Sequence, residues 1–129
     1  MENVTGIGGV FIKAKNPKEL AKWYKENLGI DFADNNYVTF RWINENNPGV
    51  SGSTVFSFFN EDSKYFDPSE SKFMINFRVK NLHMLLFTLK HNGVWVADKT
   101  EYYDHGSFGW IMDPEGNKIE LWEPKEENF

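Results

Sequence analysis

Residues 108–124 read Phe108-Gly109-Trp110-Ile111-Met112-Asp113-Pro114-Glu115-Gly116-Asn117-Lys118-Ile119-Glu120-Leu121-Trp122-Glu123-Pro124. Aromatic and β-branched residues lie on both sides of the turn Asp113-Pro114-Glu115-Gly116, so this stretch predicts two strands joined by a tight connection. Within the second strand, Glu120 is the one carboxylate between Lys118 and Trp122. What this carboxylate binds is the question on which the function depends.

The composition describes a small chain without cysteine. Its 129 residues (15.1 kDa) predict one domain over residues 1–129. The absence of cysteine excludes disulfides, thiolate metal sites and cysteine nucleophiles, and it predicts a reducing compartment, the cytoplasm. The formal charge of −5 predicts no nucleic-acid or membrane partner, and no apolar run is long enough to span a bilayer. The aromatic fraction of 17% fits either a phenylalanine-rich core or a groove for a flat ligand.

The first half of the chain predicts one helix among several strands. The helix begins after Asn16, a good N-cap, and it ends at Gly29, which suits a left-handed cap. Its buried stripe is predicted to contain Leu20, Trp23, Tyr24 and Leu28. Strands are predicted at residues 6–15, 30–32, 37–43 and 54–59, with a polar loop at residues 44–53.

The second half repeats this pattern after a connector at residues 60–72. A strand at residues 73–79 leads to a helix that begins after Asn81 and ends at Gly93. Further strand pieces are predicted at residues 94–96, 102–103, 108–112 and 118–122. Lys80-Asn81 repeats Lys15-Asn16 at an offset of 65. The repeat predicts an α+β fold, in which two βαβββ modules, about residues 6–60 and 73–124, form a curled half-barrel sheet with a concave cleft.

Three of these features resemble the vicinal oxygen chelate superfamily, which contains glyoxalases, extradiol dioxygenases and bleomycin resistance proteins. Residues 16–29 resemble the first helix of the family, and residues 113–121 are similar to its most recognisable stretch. The paired βαβββ repeat is the third feature. The resemblance implies the fold and a small-molecule site in the cleft, but members of this family share a scaffold and not one reaction.

The resemblance also implies where a metal would bind. In metal-dependent members, His, Glu or Gln ligands come from strands that line the cleft, and the corresponding positions here are Gly9, Met74, Glu120 and either Val55 or Phe56. Of these, only Glu120 is a suitable ligand, because glycine has no side chain and a thioether is a poor ligand for hard divalent ions. We therefore predict no metal and no cofactor.

Strand alternation predicts which side chains face the cleft. Val10, Ile12, Ile75, Phe77, Ile119 and Leu121 are expected to pack against the helices. The predicted ligand-binding residues are Phe11, Met74, Asn76, Arg78, Trp110, Glu120 and Trp122, and Lys13 and Phe108 lie near them. Glu120 then either contacts a ligand or forms an ion pair with Arg78 or Lys13, because buried carboxylates are normally paired.

The histidines form no evident catalytic arrangement. His83 and His91 lie eight residues apart on the second predicted helix, where a metal pair would need a spacing of three or four, and both are expected to face solvent. His105 lies in a loop before the strand at residues 108–112, near a rim of the cleft, so we predict an acid/base group or a ligand contact there, or a surface position without a role. No catalytic residue is assigned.

Two functions remain open from the sequence. The first is a metal-free glyoxalase/bleomycin resistance-like protein that binds a small, partly aromatic ligand. The second is a metal-dependent lyase or dioxygenase of the glyoxalase type, in which Glu120 is a metal ligand or general base. For either function, the resemblance implies a homodimer, and the exposed edges of the sheet give a physical reason for pairing.

Overall fold

The computed structural model describes residues 3–32, 36–43, 49 and 51–125. In chain order the elements are β1 (Val4–Ala14), α1 (Pro17–Leu28), β2 (Tyr37–Ile43), β3 (Ser51–Asn60), β4 (Phe73–Val79), α2 (Leu82–His91), β5 (Glu101–Tyr103), β6 (Gly106–Met112) and β7 (Lys118–Pro124). A short 3-10 helix, Lys64–Phe66, lies in the predicted connector between β3 and β4. Residues 44–48 and 50 of the predicted polar loop lie outside the described residues.

The described strands form one open, mixed sheet in the order β2-β3-β1-β4-β7-β6-β5. Strand β1 pairs in parallel with β3 and antiparallel with β4, and β4 pairs in parallel with β7. The two halves of the chain therefore join through β1 and β4 at the centre of the sheet. The predicted α+β fold class is confirmed.

Both helices begin as their sequences predict, but the predicted stripe of α1 is only half right: Leu20 and Tyr24 pack towards the sheet, whereas Trp23 and Leu28 are 53% and 59% exposed. The side chains of Asn16 and Asn81 accept hydrogen bonds from the backbone N–H groups of Glu19 and Met84, at 3.2 Å each. Helix α1 packs against β1 and β3 over a cluster that includes Phe58. Helix α2 packs against β6 and β7, where its leucines contact Val79, Leu121 and their neighbours. Because both helices lie on one face of the sheet, the opposite face, called the concave face below, is left for the site.

The strand predicted at residues 30–32 is wrong. Gly29 has a φ of 70° and turns the chain at the end of α1, so these residues run back beneath the helix instead of joining the sheet. Phe32 is only 2% exposed and stacks on Phe58, with ring centroids 4.9 Å apart. The described part of the first module therefore has three strands.

Three smaller differences concern element boundaries. Residues 51–53 were predicted as loop but belong to β3, because they pair with the end of β2. Residues 94–96 form only an isolated bridge between Val96 and Ile111. Helix α2 ends at His91, with Gly93 following at a φ of 87°. Within the described residues, neither helix is long and apolar enough to cross a membrane.

Candidate functional site

Seven of the predicted site residues lie on the concave face, and all seven are buried. Their alternation with the helix-packed residues of the same strands agrees with the prediction. Sheet curvature brings β1 and β6 residues into one cluster, in which Phe11 and Trp110 both pack with Phe66. The exposed fractions are Phe11 9%, Met74 0%, Asn76 2%, Arg78 6%, Trp110 6%, Glu120 3% and Trp122 8%.

Glu120 is the centre of a group of four side chains, Glu120, Asn76, Trp110 and Tyr65, which we call the polar cluster. Strand pairing places Asn76 of β4 and Trp110 of β6 directly beside Glu120. The Asn76 Nδ2 atom donates to Glu120 Oε1 at 2.6 Å, and the Trp110 Nε1 atom donates to Oε2 at 2.8 Å. The sheet itself therefore supplies two of the donors that a buried carboxylate requires.

Tyr65 supplies the third donor from outside the sheet. Its hydroxyl group donates to Glu120 Oε2, and its ring stacks on Phe59, with centroids 5.6 Å apart and planes at 13°. Burial, reinforced by the negative charge of Glu120, raises the pKa of Tyr65 well above its ordinary value. Tyr65 is therefore a neutral donor throughout the physiological range.

These contacts replace the ion pair that the sequence left open for Glu120. Its three donors are all neutral, whereas the ion pairs that involve only described residues are the exposed Lys22–Glu26 and Lys25–Asp31, at 3.8 Å each. Lys13 lies over the Phe66 ring, 5.1 Å from its centroid. The prediction of an ion pair between Glu120 and Lys13 or Arg78 is therefore wrong.

A column of flat groups occupies the other end of the concave face. The guanidinium carbon of Arg78 lies 4.9 Å from the Trp122 ring centroid and 5.7 Å from that of Trp42, so the cation lies against both indoles. Phe108 stacks on Trp122 with a centroid distance of 5.8 Å and an interplanar angle of 4°. We call Trp42, Arg78, Trp122 and Phe108 the aromatic column.

His105 lies beside the exposed end of this column. Its backbone carbonyl accepts a hydrogen bond from Trp122 Nε1 at 3.0 Å, and its ring stacks on Tyr103 with centroids 5.3 Å apart. Phe108 touches the same imidazole ring edge-on at 5.5 Å. Because both His105 and Tyr103 are exposed, the predicted position at a rim agrees with the structure, and the ligand contact stays a prediction.

Glycines in the central strands make room for the large side chains. A Cβ atom at Gly6 or Gly52 would lie 2.6 or 2.5 Å from Trp42 Cη2, so this indole lies flat across β1 and β3. Trp42 Nε1 also donates to Thr54 Oγ1 at 2.9 Å. Glycine in a strand interior often marks such close approach, which is the one signal that could have identified Trp42 from sequence.

The register of the sheet changes which residue lies level with Glu120. Counting along the chain placed Met74 there, but Met74 pairs with Phe11, and Asn76 is the residue that pairs with both Gly9 and Glu120. The difference is a shift of two residues along β4, and it is set by the pairing of β4 with β7, which places Asn76 beside Glu120. A repeat offset cannot reveal this shift.

This donor set does not fit the divalent metal centre that the resemblance implies. Gly9 offers no side chain, its neighbour Val55 offers only hydrocarbon, and Glu120 already accepts three hydrogen bonds. Within the part of the chain that the structure describes, no three His, Asp or Glu side chains are placed to hold a metal ion.

Comparison with known families gives one clear match. Residues 6–121 match the model of the Glyoxalase/Bleomycin resistance protein/Dioxygenase superfamily. Among curated proteins, no match to this chain is found.

Solved structures with the same fold include epimerases. A methylmalonyl-CoA epimerase from Streptomyces coelicolor is 15% identical, with a TM-score of 0.67 and coverage of 95% of this chain and 99% of the other. The methylmalonyl-CoA epimerase from Mycobacterium tuberculosis is 20% identical (TM-score 0.59; coverage 98% and 92%). A glyoxalase/bleomycin resistance protein/dioxygenase superfamily member from Vibrio splendidus 12B01 is 9% identical (TM-score 0.58; coverage 91% and 97%). At these identities the likeness is evidence of fold alone.

Proposed function

Because this chain belongs to the Glyoxalase/Bleomycin resistance protein/Dioxygenase superfamily, we propose that it binds a small, partly aromatic molecule on its concave face without a metal. The observation that carries this proposal is the arrangement of Arg78 between two indoles, with Phe108 stacked behind one of them. Flat faces beside a cation with planar donors suit an aromatic ring that bears a polar substituent.

The polar cluster supports the metal-free part of the proposal. A carboxylate that already accepts hydrogen bonds from Asn76, Trp110 and Tyr65 has about one lone-pair position left, on Oε1, which makes it a poor metal ligand. The same contacts count against the alternative, a metal-dependent lyase or dioxygenase with Glu120 as ligand or base. Binding without catalysis therefore agrees best with the residues on this face.

A binding experiment with matched tryptophan variants tests the proposal. Naphthalene-2-carboxylate, a flat anion, serves as the probe in calorimetric titrations of the wild type, Trp122→Leu and Trp23→Leu. Trp23 is the control because it is 53% exposed on α1, away from the concave face. We expect binding to be lost in Trp122→Leu and kept in Trp23→Leu, with folding of both variants checked by circular dichroism. Equal binding by both variants would contradict the assigned face.

Metal analysis separates the two candidate functions. Protein purified without chelator is expected to contain no stoichiometric Ni, Zn, Mn or Fe, and to show no activity towards methylglyoxal–thiol adducts. A stoichiometric metal that disappears in Glu120→Ala would refute the binding-protein proposal and favour the enzyme.

A homodimer is part of the proposal. Strands β2 and β5 are the outermost strands of the described sheet, and unpaired edges favour association. Light scattering during size-exclusion chromatography is expected to give twice the 15.1 kDa chain mass, and the monomer mass alone would contradict pairing. The cytoplasmic location and the absence of nucleic-acid and membrane partners stay predictions.

A further inference from the structure

Tyr65 is the only member of the polar cluster that lies outside the sheet, and it is also its most exposed member. It is 37% exposed, whereas Glu120 beneath it is 3% exposed. Its backbone is held independently of its phenol ring. The neighbouring Phe66 is fully buried, Lys118 Nζ donates to the Tyr65 carbonyl at 2.8 Å, and Ser69 Oγ donates to the Gly116 carbonyl at 2.7 Å. Rotation about the Tyr65 side-chain bonds is therefore enough to uncover Glu120 while the backbone keeps its place.

The surroundings of the Tyr65 side chain form a complete site for a phenol. Phe59 stacks on one face of the ring, and Trp110 meets it edge-on at 6.1 Å and 89°. The ammonium group of Lys118 lies 5.5 Å from the ring centroid, and Glu120 accepts the hydroxyl proton. Phe59, Trp110 and Glu120 contact the ring and its hydroxyl, and Lys118, which also bonds to the Tyr65 carbonyl, lies over the ring, so a free phenolic molecule would meet the same contacts.

We propose that this place is a subsite for the phenolic hydroxyl end of a ligand, and that Tyr65 occupies it as an internal competitor. The inference rests on the proposed binding function, because it assigns the chemical class of the ligand at the deep end of the same concave face. Binding of a ligand phenol requires Tyr65 to turn out towards solvent, where its hydroxyl group bonds to water instead.

The charges around the subsite select a neutral hydroxyl donor. Glu120 repels a ligand carboxylate at this depth, and the Lys118 ammonium group, which lies over the Tyr65 and Trp110 rings at 5.5 and 5.6 Å, repels a ligand cation. Burial raises the pKa of Tyr65, and it acts in the same way on a ligand phenol in its place, which keeps the phenol neutral. A neutral phenol satisfies both the carboxylate and the aromatic walls.

A ligand can bind only while Tyr65 is turned out of the subsite. The apparent affinity is therefore the intrinsic affinity multiplied by the fraction of time for which the subsite is open. Removal of the Tyr65 ring should therefore strengthen binding of a free phenol. The hydroxyl group of the ligand should decide which molecules bind to the Tyr65→Ala variant, because Glu120 lacks its third hydrogen-bond donor once Tyr65 is truncated. A hydrogen bond to a charged acceptor contributes about 1.5–3 kcal/mol, which corresponds to a preference of roughly tenfold or more.

The experiment uses p-cresol as probe and toluene as its matched analogue without the hydroxyl. Binding is followed through the NMR signal of the Trp110 indole N–H, which bonds to Glu120. We expect Tyr65→Ala to bind p-cresol at least tenfold more tightly than the wild type and at least tenfold more tightly than it binds toluene. Tyr102→Ala is the control, because Tyr102 is 59% exposed and its hydroxyl contacts His83 rather than the polar cluster, and it should behave as wild type.

Several outcomes would overturn the proposal. They are equal affinity of the wild type and Tyr65→Ala for p-cresol, equal affinity of Tyr65→Ala for p-cresol and toluene, or no binding by folded Tyr65→Ala. If Tyr65→Ala does not fold, the wild type decides: millimolar p-cresol must shift the Trp110 signal while toluene leaves it unchanged. Trp122→Leu tests the aromatic column separately, so loss of the naphthalene probe there leaves the p-cresol result standing.

Discussion

Replacement of Glu120 by alanine is expected to destabilise the protein by about 2–6 kcal/mol, because two donors that lose their acceptor are buried. Asn76 and Trp110 are 2% and 6% exposed, and a buried donor left without a partner costs about 1–3 kcal/mol. Tyr65 adds little to this sum, because it is 37% exposed and its hydroxyl can turn to water. The loss is a large part of the 5–15 kcal/mol that is typical of a domain. Urea unfolding followed by tryptophan fluorescence measures it.

Glu120→Gln is the matched variant, because it keeps the shape of the side chain and replaces one acceptor oxygen by an amide nitrogen. The new amide oxygen can accept from Tyr65 and Trp110, but its amide nitrogen then faces Asn76 Nδ2, which is also a donor. Among the described residues the Asn76 Oδ1 atom has no partner, so a 180° rotation of the Asn76 amide supplies the missing acceptor. We expect Glu120→Gln to lose only about 1–2 kcal/mol. The reasoning is refuted if the free energy of unfolding of Glu120→Ala lies within about 1 kcal/mol of the wild-type value. It is also refuted if Glu120→Ala and Glu120→Gln have equal free energies of unfolding.

Three further outcomes follow from single contacts. Gly52→Ala should cost about 1–3 kcal/mol in urea unfolding, because the new Cβ would lie 2.5 Å from Trp42, and Trp42→Leu in the same chain should recover part of that loss. Above about pH 10 the unfolded chain releases the Tyr65 proton while the folded protein keeps it, so the free energy of unfolding falls as pH rises. Tyr65→Phe should make that fall shallower by up to about 1.4 kcal/mol per pH unit, which urea unfolding at several pH values from about 8.5 to 11 would measure. Asn81→Ala removes the acceptor for the Met84 N–H and should lower Tm by about 4 °C, whereas Asn81→Ser should keep most of it; equal Tm values for both variants would contradict the capping role.

Strand alternation predicted the contents of the concave face well. The side chains of a strand point to opposite faces with a period of two, so a few helix-packed positions were enough to place Asn76, Arg78, Glu120 and Trp122 on the other side. Local signals were equally reliable at the helix ends, where Asn16 and Asn81 form the predicted caps. These features depend on neighbours in the chain, which a sequence displays directly.

The features that escaped prediction depend on contacts between distant residues. Tyr65 lies in a connector without periodicity, and it meets Glu120 across 55 positions of the chain. Trp42 reaches the aromatic column only because glycines lie beneath its indole. The register of Asn76 against Glu120 follows from the pairing of β4 with β7, two strands that are far apart in the sequence. The polar cluster therefore had to be seen in three dimensions.

The position of β7 in the sheet has a consequence for biosynthesis. It is the last strand among the described residues, yet it lies between β4 and β6, inside the sheet. Asn76 precedes Glu120 by 44 residues, which corresponds to about 2–9 s at a translation rate of 5–20 residues per second. During that interval the ribosome-bound chain leaves one side of β4 unpaired. Nascent chains arrested just after Met112 should therefore remain sensitive to protease, and they should become resistant only after β7 has left the exit tunnel.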